Sequence, residues 1–412
     1  MVIDDMFIDL KYCPDTAFAI ANRFGTKAVW HGTHIIEGSV VTPVFNSATY
    51  QLTDDIYDGW EEGAQHTLLY SRVSSLNSEA LAARVATLEN AEDGEMFDSG
   101  MSAISATLLA LLSKGDHMVG CGDMYGGAYG LITEDLPRFG IEATMADIRD
   151  PSSYAAAIKP NTKILYVETI TNPVLKVCDL EAMAAIAKKN NLIAICDNTF
   201  ASPWACNPIS MGFDLVIHSG SKYLGGHSDL IGGLVVGNKE LISEIFSKKI
   251  TMGGAADPNM CFLLDRGIKT LHVRMPAHTQ NAAELAKRLN VHPMIESVNH
   301  CSLPDYADYQ VAQRIIPKGN GMLSYVVKGG NEAALHYLRS LELIFEATSL
   351  GGVESLAECP FNTSHMFVPE EVRNELGIVP GFVRMSVGIE DFEDLWDDMD
   401  NALESTKTFV NS

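Results

Sequence analysis

The feature that most constrains this chain is a series of short β-like runs, most of them apolar throughout, that alternate with helical stretches. The runs are His117-Met118-Val119, Glu142-Ala143-Thr144-Met145, Ile164-Leu165-Tyr166-Val167, Leu192-Ile193-Ala194-Ile195, Leu215-Val216-Ile217 and Gly233-Leu234-Val235-Val236. Helical spacing falls near Tyr129, over about Ser152 to Ile158 and from Leu180 to Lys189. Strands that lack polar alternation are covered on both faces, and the helices between them supply the cover, so the pattern predicts an α/β fold around a largely parallel sheet. Catalytic residues then gather where the strands end.

The flanks read differently. Ser78-Glu79 opens a helix carrying Leu81, Ala82, Val85 and Leu88 that ends near Asn90, and an apolar, buried helix follows Ser99-Gly100 from about Met101 to Leu112. Near Arg266 to Thr270 the alternation gives way to one long amphipathic helix through Leu289, then to a smaller α+β unit ending in the acidic helix Asp391 to Leu403. The first 65 or so residues hold no steady period and read as an extended arm. A chain of 412 residues exceeds one comfortable core. The expected division is an arm over 1–66, a large unit over 67–265 and a small unit over 266–412.

Three consecutive strands end in polar residues: Glu168 to Pro173 after Val167, Asp197-Asn198-Thr199 after Cys196, and His218-Ser219-Gly220-Ser221-Lys222 after Ile217. Together they propose one site. A carboxylate such as Asp197 closing a buried strand is costly unless it meets a cation or a donor, and a protonated pyridine nitrogen is such a partner. Lys222, in a semi-buried turn, loses its proton cheaply and forms a Schiff base with a carbonyl, while Ser219 and Ser221 offer hydroxyls to a phosphate. Pyridoxal 5'-phosphate (PLP) uses all three features. Ser99-Gly100-Met101, at a helix start, is the matching anion site. Tyr125, in the loop after the next strand, is an aromatic ring within reach of such a cofactor.

Composition excludes the main rivals. Lys+Arg 29 against Asp+Glu 53 leaves a net charge of −24, which repels nucleic-acid backbones and anionic lipid. The longest apolar run, Ile104 to Leu112, is far short of the roughly 20 residues of a membrane helix, and the start Met1-Val2-Ile3-Asp4-Asp5 lacks a basic signal region, so a cytoplasmic location is expected. Eight cysteines without a C-x-x-C pair, and twelve histidines without H-E-x-x-H or H-x-H, give no disulfide framework and no metal site. Gly120-x-Gly122 is followed by Tyr125 where a dinucleotide fingerprint needs its third glycine.

Tyr70-Ser71-Arg72, Ser99-Gly100-Met101, Tyr125-Gly126, Glu168-x-x-x-Asn172-Pro173, Asp197-Asn198-Thr199, His218-Ser219-x-Ser221-Lys222-Tyr223, Arg266-Gly267-x-Lys269-Thr270-Leu271 and Ser349-Leu350-Gly351-Gly352 follow in order. From about Ala28 to Leu403 the chain resembles the Cys/Met-metabolism family of PLP enzymes, which includes methionine γ-lyase, cystathionine γ-lyase and cystathionine γ-synthase. The resemblance implies a fold-type I PLP-dependent transferase architecture: a mostly parallel seven-stranded sheet covered by helices, a smaller α+β C-terminal domain and an N-terminal arm. It also implies a homotetramer with active sites shared across a dimer interface.

By position, the resemblance gives Lys222 the cofactor aldehyde and the proton transfers, Asp197 the pyridine nitrogen and Tyr125 the stacking position and the acid–base work at the γ end. Gly100, Met101, Ser219 and Ser221 would hold the phosphate, with Tyr70 and Arg72 reaching in from the neighbouring subunit. Arg384 would take the substrate carboxylate, assisted by Asn172 and Ser349. The implied activity is γ-elimination of a γ-substituted L-amino acid in the manner of methionine γ-lyase, giving a 2-oxo acid, ammonia and the leaving group. Cystathionine γ-lyase activity, γ-replacement of the cystathionine γ-synthase or O-acylhomoserine sulfhydrylase kind, and a lyase for a non-protein amino acid are the alternatives. The chain departs from the family at three places. Ser75-Leu76-Asn77 stands where Asn-Pro-Thr is usual, Gly127 where methionine γ-lyases carry cysteine, and Thr348 where cystathionine γ-lyases and synthases carry glutamate.

Overall fold

The computed structural model describes residues 11–12, 23–36, 38–61, 68–363, 366 and 370–411. Most of the expected arm before Arg23, Cys13 included, lies outside the described residues.

Ser75 starts the first long helix, α1 (Leu76–Glu89). Its hydroxyl accepts the Ser78 N–H at 3.2 Å while the Ser78 hydroxyl accepts the Ser75 N–H at 3.2 Å, a reciprocal cap that begins the helix two residues before the sequence pattern does. Asn77 ties down the preceding segment by accepting the Phe45 N–H and donating to the Pro43 carbonyl, each at 2.9 Å. The Ser75-Leu76-Asn77 departure therefore still caps a helix and fastens a loop. Helix α2 (Gly100–Leu111) follows, capped by the Ser99 hydroxyl.

Seven strands form the large sheet: β1 (Asp93–Phe97), β2 (His117–Cys121), β3 (Glu142–Ala146), β4 (Thr162–Glu168), β5 (Ile193–Asp197), β6 (Leu215–Ser219) and β7 (Gly233–Gly237). Their order is β1-β7-β6-β5-β4-β2-β3, and all run parallel except β7, which is antiparallel to both neighbours. Ile164, Leu165, Tyr166, Val167, Ile195, Leu215, Val216 and Ile217 are completely buried, as the apolar runs require of a sheet covered on both faces. Each aliphatic side chain so buried contributes about 1.5–3 kcal/mol. Helix α3 (Leu180–Lys189) lies between β4 and β5, with the ends read from the sequence.

Elements the sequence reading did not mark include the first strand of the large sheet and the helices over Lys239–Met252 and Pro258–Ile268. Strand β1 went unread because Asp93-Gly94-Glu95-Met96-Phe97 has only two large apolar residues; buried Glu95 is instead neutralised by Lys249 at 2.5 Å. The long helix read after Arg266 to Thr270 is α5 (Leu271–Asn290), and a separate helix that the sequence reading did not mark, α4 (Pro258–Ile268), precedes it. Thr270 breaks them, because its hydroxyl and its N–H both turn back to the Gly267 carbonyl, at 3.0 and 3.1 Å.

Beyond α5 a five-stranded sheet forms from β8 (Ile295–Asn299), β9 (Met322–Val327), β10 (Phe345–Glu346), β11 (Leu356–Glu358) and β12 (Phe382–Ser386). Its order is β8-β9-β12-β11-β10, antiparallel except for the β10–β11 pair. The acidic helix α6 (Phe392–Val410) closes the described chain. Among the described residues no helix is long and apolar enough to cross a membrane.

Candidate active site

Parallel register aligns the ends of β4, β5 and β6. Glu168 pairs with Asp197, and Asp197 pairs with Ile217, so the polar residues that close these strands meet at one edge of the sheet. The small sheet contributes Arg384 from β12, while Ser349 comes from the loop ahead of β11. The result is a cavity of about 860 Å³ whose walls include Gly100, Met101, Tyr125, Asn172, Asp197, Ser219, Ser221, Lys222, Ser349 and Arg384. Tyr70 and Arg72 are not brought to it within the chain. Tyr70 is exposed beneath the Arg72 guanidinium, which donates to the Ile250 carbonyl.

The start of α2 is held against the sheet by absent side chains. A Cβ on Gly233 of β7 would stand 2.1 Å from the Ser99 carbonyl oxygen, and one on Gly100 would stand 3.1 Å from Ser219 Cβ. Both glycines let the first free N–H groups of a twelve-residue helix approach the Ser219–Ser221 turn, and such groups favour an anion. The turn is itself fixed: Ser219 donates its N–H to Thr199 Oγ1 at 2.9 Å and Ser221 Oγ accepts the Gly232 N–H at 3.2 Å.

Charges in the cavity are perturbed. Burial pushes the Asp197 carboxyl up, opposed by the Thr199 N–H that it accepts at 3.0 Å and by His218. Burial beside Asp197 holds Glu168 well above the usual carboxylate range, although its Oε1 accepts the Tyr125 N–H at 2.7 Å. Lys222 is pulled below an ordinary lysine by burial and then by Arg384, and its Nζ donates to Ser349 Oγ at 2.9 Å.

Arg384 is buried. Its Nη1 donates to Asn172 Oδ1 at 2.7 Å, its Nη2 donates to the Ser349 carbonyl at 3.0 Å and pairs with Glu358 Oε1 at 2.6 Å, and its Nε has no hydrogen-bond partner among the described residues. Ser349 adopts φ +81°, a left-handed conformation that costs a non-glycine residue about 1–3 kcal/mol and that concentrates at functional sites. It is hydrogen-bonded to both Lys222 and Arg384.

Glu168 and Glu358 are site members that sequence reasoning left out of the candidate set. Glu168 carried a signal, a carboxylate closing an apolar strand. Glu358 closes three-residue β11 and carried none. Gly127 finds a physical reason, since a Cβ there would meet Tyr125 Cε1 at 2.6 Å and Met101 Sδ at 2.9 Å, so the missing side chain lets the ring lie against Met101.

Residues 25–404 match the sequence model described as Cys/Met metabolism PLP-dependent enzyme. The chain belongs to that family. Its cofactor is therefore pyridoxal phosphate, and its chemistry is that of a PLP-dependent carbon–sulfur lyase. It is 42% identical over 370 residues to a cystathionine gamma-lyase of Bacillus subtilis, covering 89% of this chain and 95% of the relative. It is 37% identical over 390 residues to an L-methionine gamma-lyase of Fusobacterium nucleatum, covering 92% and 98%. A solved cystathionine gamma-lyase from Lactobacillus plantarum, complexed with L-serine, superposes with a TM-score of 0.88 at 36% identity over 93% of this chain and 99% of that one. As a member of this family the chain takes a small amino-acid substrate.

Proposed function

We propose that this member of the family carries out γ-elimination on a γ-substituted L-amino acid, methionine first: methionine and water give 2-oxobutyrate, ammonia and methanethiol. The supporting observation is the charge inventory of the cavity. Among the described residues that line it the cations are Lys222 and Arg384. Lys222 is needed for the cofactor and Arg384 for the α-carboxylate, and Arg72 of a neighbouring copy is assigned to the phosphate, so the described lining of this chain offers no further cation to the second carboxylate of cystathionine. Near the Tyr125 end the lining includes Met101, Ile104 and Gly127, a wall suited to a thioether.

The residues present fit the cofactor. Asp197 is a half-buried carboxylate accepting a backbone N–H from Thr199, and a protonated ring nitrogen supplies the counter-charge it lacks. Gly100, Met101, Ser219 and Ser221 form the cradle for its phosphate, and Lys222 is the amine for its aldehyde. When bound, the cofactor supplies an electron sink that acidifies the substrate beside its amino group.

Everything else is done by the chain. Lys222, with its proton loosely held, takes the proton from Cα and returns one elsewhere. Arg384 holds the carboxylate with its unpartnered Nε–H while Asn172 and Ser349 keep the guanidinium plane fixed. Tyr125 is the acid at the departing sulfur. Tyr70 and Arg72 complete the site of a neighbouring copy in a homotetramer, in keeping with their position off the cavity of their own chain. A reducing cytoplasmic setting agrees with the seven buried free cysteines among the described residues.

The experiment is a panel of methionine, homocysteine, cystathionine and O-acetylhomoserine, scored for 2-oxo acid and ammonia with and without added thiol. Methionine is expected to give the highest kcat/KM and 2-oxobutyrate the dominant product. Preference for cystathionine, or a new thioether amino acid as the main product when thiol is present, overturns the reading.

A further inference from the structure

Arg384 is steadied by a loop whose other end is fastened by residues that do not line the cavity. Asn172, which accepts Arg384 Nη1, lies in a tight turn in which Thr171 donates its N–H to the Lys176 carbonyl at 2.9 Å and Leu175 donates to the Thr171 carbonyl at 3.1 Å. An antiparallel bridge between Ile170 and Val177 closes it. Leu175 is held at φ +66°, in the left-handed region where a leucine is uncommon. Such a residue persists only where surrounding contacts fix it.

Those contacts come from a buried polar knot. Asp308, only 6% exposed, precedes the helix Tyr309–Ile315. It accepts Arg149 Nε at 2.8 Å and Nη2 at 2.8 Å, and the N–H of Val177 at 3.2 Å. The Tyr306 hydroxyl donates to the Leu175 carbonyl and lies 3.1 Å from Asp308 Oδ2. Arg149 follows β3 and Asp308 follows β8, so the knot joins both sheets to Leu175 and Val177 of the turn. Arg149, Tyr306 and Asp308 do not line the cavity.

We propose that Asp308, with Arg149 and Tyr306, is a positioning group for the reaction: it fixes the Thr171–Val177 turn so that Asn172 holds Arg384 in register with the substrate carboxylate. This rests on the reading of Arg384 as the partner of that carboxylate. The physical reason is the direction of the load. Removing the Asp308 charge frees Arg149, which is partly exposed and turns to water, and weakens both the acceptor of the Val177 N–H and the support of the Tyr306 hydroxyl that holds Leu175, so the turn loosens at the end opposite Asn172. Lys222 and Asp197 stand on other elements, so cofactor binding is untouched.

The test uses the PLP-loaded enzyme with Asp308→Asn, Tyr306→Phe and Arg384→Ala. Two probes are titrated by the change in cofactor absorbance: methionine, and the amine that lacks its carboxylate. A guanidinium displaced by an ångström costs on the order of 10- to 100-fold. Asp308→Asn is expected to lower kcat/KM for methionine by about that factor, chiefly through KM, with affinity for the amine and for PLP unchanged; Tyr306→Phe gives a smaller loss of the same pattern. Equal weakening of methionine and amine marks a merely structural residue and overturns the inference. An unchanged KM in Asp308→Asn, with Arg384→Ala raising it, overturns the inference alone. If Arg384→Ala itself spares the preference for methionine over the amine, the reading of Arg384 falls and the inference with it.

Discussion

Replacing Lys222 with alanine is expected to lower turnover by about 10²–10⁴-fold, the span that a positioned acid–base group supplies, while the protein stays folded and PLP still binds through its phosphate and ring. Lys222→Arg does not rescue, because a guanidinium keeps its proton throughout the accessible pH range. The pH dependence sharpens this. Burial, followed by Arg384, pulls the Lys222 amine below an ordinary lysine, so the neutral amine is available at lower pH. Covalent uptake of the aldehyde by apoprotein should therefore rise with pH through a midpoint below the roughly 10.4 of free lysine. Stability follows the same sign. Between the lowered value and about 10.4 the folded apoprotein binds fewer protons than the unfolded chain, so stability increases as pH rises through that window, and Lys222→Met abolishes the increase. Stopped-flow absorbance and denaturant titrations of parent and Lys222→Met at several pH values check both; a stability difference between the two proteins that does not change with pH contradicts the account.

Removing Arg384 should have two effects of different origin. The α-carboxylate loses a charge-assisted partner, a loss of about 2–5 kcal/mol, or roughly 30- to several-thousand-fold in kcat/KM. Glu358, buried and 2.6 Å from Arg384 Nη2, is left uncompensated, and breaking a buried ion pair on one side costs about 3–5 kcal/mol of stability. Arg384→Ala combined with Glu358→Gln separates the two, because the double variant recovers most of the stability and none of the activity. Parallel denaturation and steady-state kinetics decide it; recovery of activity in the double variant would contradict the assigned role.

Much of this was legible in the chain because buried strands announce themselves. Ile164 to Val167 and Leu215 to Ile217 admit no amphipathic reading, so the polar residues that follow them had to stand at strand ends, and Asp197, Ser219 and Lys222 do meet at one cavity. Sequence reasoning fails where ions replace apolar packing. Strand β1 hides because Glu95 is matched by Lys249, a residue 154 positions away. Glu358 hides for the same reason, since its meaning lies wholly in Arg384 on the adjacent strand. The break at Thr270 is a competition between a hydroxyl and the helix for one carbonyl, which the apolar period of α4 and α5 does not record. The Asp308 knot lies deeper still, its partners drawn from Arg149, Val177 and Tyr306.

The central claim is that one lysine, beside the Asp197 carboxylate and the Ser349 hydroxyl, is where the cofactor is joined to the chain. Treating the PLP-loaded enzyme with borohydride and mapping its peptides by mass reads this directly. The pyridoxyl group should appear on Lys222 and nowhere else. Its appearance on another lysine, with Lys222 recovered unmodified, contradicts the account.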